Sequence, residues 1–216
     1  MASKAKVPVG RIEASSADQL LNATSALMIE RNTVDITFAD IAEKSGLNAA
    51  LIRYHFGSKL GMFMALLERD AGGTFDDLER LVKADMDAGQ KLRHHIHGII
   101  KVYYRYPYMN RLVAALAVET DSETARFISE RFSRPLAAAQ KAILEQGEAE
   151  GLFRKIDPML FYFSLIGMCD HLFIGRHSLK YAFGVDDIDD DLRKAYAVHV
   201  TDLLMRSVLV KPETDA

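Results

Sequence analysis

A chain of 216 residues, 49% of them apolar and 26% charged, is long enough for a sizeable core and one or two domains, and its composition is that of a globular protein. One cysteine, Cys169, excludes an internal disulfide and suits a reducing cytoplasm; the longest apolar run, 159–174, is interrupted by Asp170 and His171 and so excludes a membrane span. The net charge of −3 excludes a wholly basic nucleic-acid-binding chain: residues 1–60 hold seven Lys/Arg against six Asp/Glu, and the remainder twenty against twenty-four.

In chain order, residues 1–14 lack the apolar core of a secretory signal and form a flexible arm, so the protein is expected to stay in the cytoplasm. Lys4, Lys6 and Arg11 could follow a phosphate backbone, or the arm could be a solvated tail. From Ser16, Leu20, Leu21, Thr24, Leu27 and Met28 recur at helical spacing, and 32–36 connects to the next element.

Residues 37–59 read TFADIAEKSGLNAALIRYHFGSK. Thr37 is an N-cap, Asp40 completes a capping box, and Ile36 and Ile41 are placed as a hydrophobic staple. Ser45 and Gly46 stop this helix, Leu47 turns inward, and Asn48 caps a second helix over about 49–55. Ile52 and Phe56 fall on its buried side, with Ala49, Ala50, Arg53 and Tyr54 outward.

Two helices joined by a short glycine-containing turn form a helix-turn-helix, whose second helix can enter a major groove. Small Ala49 and Ala50 allow close approach to base edges, and Arg53 can pair with a guanine. Thr37, Asn48, Tyr54, His55 and Lys59 complete the candidate DNA-binding set, Tyr54, His55 and Lys59 within reach of phosphates. Packing is the alternative for Tyr54, and a structural hydrogen bond the alternative for His55. The positive patch must be local, from Lys4, Lys6, Arg11, Lys44, Arg53 and Lys59.

The run LNAALIRYHFGSK, after TFADIAEKSG and before an apolar helix, resembles the DNA-binding domain of the tetracycline-repressor (TetR) family of transcription regulators over about residues 15–64, most specifically at 54–59. It departs from the family at Arg53, where Tyr is usual and the bases read would change, and at Leu60, where an acid is usual.

Beyond Lys59 the chain remains helical. Met62, Phe63, Leu66 and Leu67 continue a helix that Gly72 and Gly73 should break; further helices are expected at 75–88, 91–106, 109–118, 122–150 with a kink or break at Arg134-Pro135, 158–178 and 192–209. The acids Asp186, Asp187, Asp189, Asp190 and Asp191 lack the glycine and glutamate of a calcium loop and suit a helix start. His94, His95 and His97 lack a matching Cys or acidic ligand, so no metal is expected.

The resulting fold class is all-α, with an N-terminal three-helix helix-turn-helix DNA-binding domain at 15–60 and a C-terminal helical domain at 61–216, which the resemblance implies is for ligand binding and dimerisation. The resemblance implies a regulator, most often a repressor, that leaves its double-stranded DNA operator when a small-molecule effector binds, and a homodimer formed by the last two helices. Here the pairing stripes would be Leu165, Met168 and Leu172 on one helix and Val200, Leu203, Leu204 and Val208 on the other. Aromatic or polar residues on otherwise apolar faces are the pocket candidates: Tyr103, Tyr104, Tyr108, Phe127, Phe161, Met168, Cys169 and His171, with Phe132 and Asp170 beside them. No cofactor is implied. A DNA-binding protein without ligand control stays open; an all-helical enzyme has no catalytic motif to support it.

Overall fold

A computed structural model describes residues 15–119 and 122–210; the arm expected over 1–14 lies outside them. Helix α1 (Ser16–Glu30) begins where the Ser15 side chain accepts from the Asp18 backbone N–H. Helices α2 (Phe38–Ser45) and α3 (Ala50–Phe56) lie across it, followed by the long α4 (Lys59–Lys83). Leu20, Met28, Ile36, Ile41, Ile52, Met62 and Leu66 meet there fully buried, each contributing about 1.5–3 kcal/mol.

Helix α4 runs unbroken through Gly72 and Gly73, contrary to the break expected there, and absorbs the first part of the helix expected at 75–88. Two internal glycines cost about 1 kcal/mol each. Burial of Leu67, Asp70, Ala71 and Leu78 on both sides of the pair, and packing on α5 and α8, outweigh that cost.

Helix α5 (Ala88–Arg105) is central, touching α4, α8, α9 and α11. Then come α6 (Met109–Glu119), α7 (Ser122–Ile128), a π-helical turn (Ser129–Ser133) and α8 (Arg134–Ala149). The interruption expected at Arg134-Pro135 is therefore real, with Pro135 in the first turn of α8 where its missing N–H costs nothing. Gly147 is required: a Cβ there would lie 2.0 Å from the Phe153 ring.

Helix α9 (Pro158–Ile174) starts at the Asp157 cap but stops at Gly175, short of the expected end; the chain bends by 63° into α10 (Arg176–Phe183). Asp189 caps α11 (Asp190–Val208), and Asp190 and Asp191 occupy its first turn, as the acidic run implies. Among the described residues no single helix is long and apolar enough to cross a membrane, and none lies in a β-strand.

The expected pairing stripes need correction. Leu165, Val200, Leu204 and Val208 are buried in their own chain, and Met168 and Leu172 are partly so. Of the seven only Leu203 is exposed, and the outward apolar residues are instead Leu160 and Phe163 on α9 and Val198 beside Leu203 on α11. A helix apolar on nearly every side, as α9 is, does not announce which side faces its own core.

Candidate nucleic-acid interface

Helix α2 is set by its first turn. The Thr37 hydroxyl accepts from the Asp40 N–H at 3.1 Å, and the Asp40 carboxylate accepts from the Thr37 N–H at 2.8 Å. The Thr37 hydroxyl also donates to that carboxylate at 2.5 Å, and the two bonds from Thr37, with Arg31 2.8 Å away, hold the half-buried Asp40 carboxyl well below the usual carboxylate range. Gly46 ends α2 at φ 71°, a conformation costly for a side-chain-bearing residue. Asn48 Oδ1 accepts from the Ala50 N–H at 2.8 Å, so the cap is on the expected residue although α3 begins one residue later than expected.

This pins Ile52 inward and turns the remaining positions out: Asn48, Ala50, Arg53, Tyr54 and His55 are exposed, and Ala49 is half-buried. Tyr54 is 80% exposed and so is not packing. Thr37 is exposed at the start of α2, and Lys59, half-buried, stands over the Phe63 ring at 5.4 Å. His55 is already engaged, its Nε2 lying 2.7 Å from the Ser16 hydroxyl, which ties α3 to the start of α1. Lys44 does not add free charge to the patch, because Glu30 holds it at 2.7 and 2.8 Å; Lys4, Lys6 and Arg11 lie outside the described residues.

The corner is joined to α4 by a close approach. Gly57 takes φ 73°, the Ser58 hydroxyl accepts from the Gly61 N–H at 3.0 Å, and a Cβ on Gly61 would stand 2.1 Å from the Phe56 carbonyl oxygen. Only glycine lets α3 and α4 meet at this angle.

Behind the corner lies a polar seam. Buried Tyr108, at the start of α6, donates to the Asp70 carboxylate and lies 2.9 Å from the Ser25 hydroxyl of α1. Arg69 donates to Asp70 at 2.7 Å and to Asn22 of α1 at 2.8 Å. Arg111 of α6 donates to the Asn32 carbonyl and side chain, both at 2.7 Å, bracing a residue held at φ 48°. Asn110 carries the connection on to Asp170 of α9 at 2.7 Å.

Between α4 and α5 is a cleft of about 580 Å³ whose lining includes Arg69, Asp70, His95, Lys101, Arg105 and Tyr106. None of the eight pocket candidates lines it. Tyr103, Phe161 and Cys169 are core, and burial pushes the Cys169 thiol up to about 12; Tyr108 belongs to the seam; Tyr104 and Met168 are half-buried; Phe127 and His171 are exposed. Phe132 is buried beside Phe75, whose ring is 6.2 Å away, and Asp170 is buried with burial raising its carboxyl. The cleft brings together residues outside that candidate set: Lys101 and Arg105, one turn apart on α5, and His95. The histidine cluster does not converge: His95 is inside, while His94 and His97 are on the surface.

Residues 20–66 match the family described as "Bacterial regulatory proteins, tetR family", and residues 85–214 match "Tetracyclin repressor-like, C-terminal domain", the latter alone more than half of the chain. The chain belongs to the tetracycline-repressor family. Within this TetR family it is 26% identical over 197 residues to the transcriptional repressor NicS of Pseudomonas putida, covering 88% of this chain and 91% of NicS. It superimposes on the ketosteroid regulator KstR2 of Mycobacterium tuberculosis with a TM-score of 0.70 at 18% identity, covering 94% and 98% of the two chains. The regulator FadR of Bacillus subtilis, solved with stearoyl-CoA, gives a TM-score of 0.65 at 18% identity, covering 88% and 98%. This TetR-family chain is thus a DNA-binding transcriptional regulator, with its helix-turn-helix in α2 and α3.

Proposed function

We propose that the protein is a repressor that holds its operator as a homodimer in the cytoplasm and is released when a small molecule enters the distal helical half. The N-terminal part, 15–60, does the DNA binding and 61–216 the sensing and pairing, with no catalytic role. Its carrying observation is the outward row on α3, fixed to a capped corner and braced through the seam to the cleft. In this reading Ala49, Ala50 and Arg53 meet base edges, and Thr37, Asn48, Tyr54 and Lys59 meet phosphates. His55 serves mainly to fasten α3 to α1. Pairing by α9 and α11 would cover Leu160, Phe163, Val198 and Leu203, and would give two copies of α3 a fixed spacing for a palindromic operator. FadR, solved with stearoyl-CoA, supports a small-molecule effector.

The test is selection of an operator from random double-stranded DNA, followed by Arg53→Ala. A loss of about 1–3 kcal/mol of discrimination at one base pair is expected, with thermal stability unchanged. Uniform weakening across sequences would reassign Arg53 to the backbone, and failure to select any sequence would end the reading.

A second reading, DNA binding without effector control, is favoured by 28% identity over 170 residues to the nucleoid occlusion factor SlmA of Klebsiella pneumoniae, which covers 76% of this chain and 85% of SlmA. Operator binding indifferent to every ligand that occupies the cleft would support it.

A further inference from the structure

The α4–α5 cleft is chemically polarised along its length. At one end Arg69, Asp70, Arg105 and Tyr106 line both this cleft and a neighbouring hollow against α1. Asp70 is committed to Arg69 and Tyr108, and Asp77 to Arg80. Among the described residues Lys101 and Arg105 face no such acid; both are exposed and stand four residues apart on α5. Arg105 at that end and Lys101 one turn further in therefore present cationic donors without acidic partners.

The middle is apolar. Phe75, Leu78, Ile99 and Val102 form its walls, and Gly73 and Gly98 leave open space where a side chain would intrude.

At the far end is His95, only 4% exposed, with no hydrogen-bond partner for Nε2. A neutral imidazole nitrogen in that position can accept from a hydroxyl or donate to a carbonyl, and a buried polar atom left without either is uncommon. Ten residues of α5 separate His95 from Arg105, about 15 Å along the axis at 1.5 Å per residue.

We infer that the cleft takes an elongated apolar molecule with a carboxylate at one end, seated by Lys101 and Arg105, and a hydroxyl or carbonyl oxygen at the other, bonded to His95. This assigns the effector class within the regulator reading above and rests on it. The carboxylate arrives beside Arg69, whose remaining donors hold Asp70 and Asn22, so occupancy is felt directly at α1.

The test uses decanoate, 10-hydroxydecanoate and decan-1-ol, titrated calorimetrically into the full chain, into Lys101→Gln/Arg105→Gln and into His95→Leu. Both acids should bind at least tenfold more tightly than the alcohol, with 10-hydroxydecanoate the tightest. The double substitution, at exposed positions that leave the core intact, should erase the tenfold gap. His95→Leu should make the two acids equal while keeping both ahead of the alcohol. Binding of the alcohol as tight as that of the acids, a gap that survives the double substitution, or no binding by any of the three overturns the inference. Retention of the selected operator by the same sample separates that failure from failure of the regulator reading.

Discussion

In the α2–α3 corner the bonds that start each helix span two or three residues: Thr37 with Asp40, Asn48 with Ala50, Ser58 with Gly61. At the seam between α1, α4 and α6, Arg69 holds its neighbour Asp70, but the bonds that join the helices have partners 38 to 83 residues apart, as Tyr108 with Asp70 and with Ser25, Arg69 with Asn22, and Arg111 with Asn32. The corner thus sets its helix starts from its own short sequence, while burial of Ile41 and Ile52 against α1 and α4 and the bond from His55 to Ser16 hold the two helices together. The seam decides where the corner is held relative to the cleft, and nothing local specifies it. Shaping the helix starts and placing the corner are separated accordingly, one built from caps and the other from buried long-range bonds.

Three experiments can break or sharpen this contrast. Gly61→Ala should have the largest effect, about 3 kcal/mol or more, because its Cβ would enter the Phe56 carbonyl where α3 and α4 meet backbone to backbone. Chemical denaturation reads the loss; a variant within 1 kcal/mol of wild type would mean that the junction yields cheaply.

Acid should then unsettle the body before the corner. Burial pushes His95 down to about 4 from its ordinary 6.5. Between those values the unfolded chain takes up a proton that the folded chain refuses, so stability falls by about 3 kcal/mol as pH drops from 6.5 to 4 and levels off below. Asp40, held low by its bonds to Thr37, stabilises the corner above pH 3.8 and is lost only on further acidification. Asp170, raised by burial, works in the opposite sense to His95, so the imidazole is isolated by comparing wild type with His95→Leu. Thermal melts from pH 7.5 to 4 should show a flatter slope for the variant; equal slopes would refute the assignment.

Tyr108→Phe is the mildest, at about 1–2 kcal/mol, since it removes the hydroxyl between Asp70 and Ser25 while Arg69 still holds Asp70. Hydrogen exchange should rise in α1 and α6 and stay unchanged in α2; uniform acceleration would show that the seam is not a separate unit.

The same contrast explains what the sequence made legible. Capping box, staple, glycine stop and outward row of α3 could all be read because each is a relation between near neighbours. The continuity of α4 through Gly72 and Gly73 could not, since tertiary burial around the pair overrides a local preference. The end of α9 was legible but not read: Gly175, followed by Arg176 and His177, closes the apolar run and is a stop signal of the same kind as Gly46. That the cleft holds none of the pocket candidates has a related reason. Aromatic residues such as Tyr103 and Phe161 were conspicuous in the sequence but fill the core, whereas Lys101 and Arg105 look like an ordinary solvated face until α4 is laid against them.

The uninterrupted 25 residues of α4 have a mechanical consequence. At 1.5 Å per residue the rod is about 37 Å long, with the cleft along its distal part and the corner fused to its proximal tip. Pivoting by about 5° at the distal end sweeps that tip through about 3 Å, close to the rise of one base pair, about 3.4 Å. In the proposed regulator, a displacement too small to disturb packing around the cleft would therefore be amplified at the tip into a change of register on the double helix.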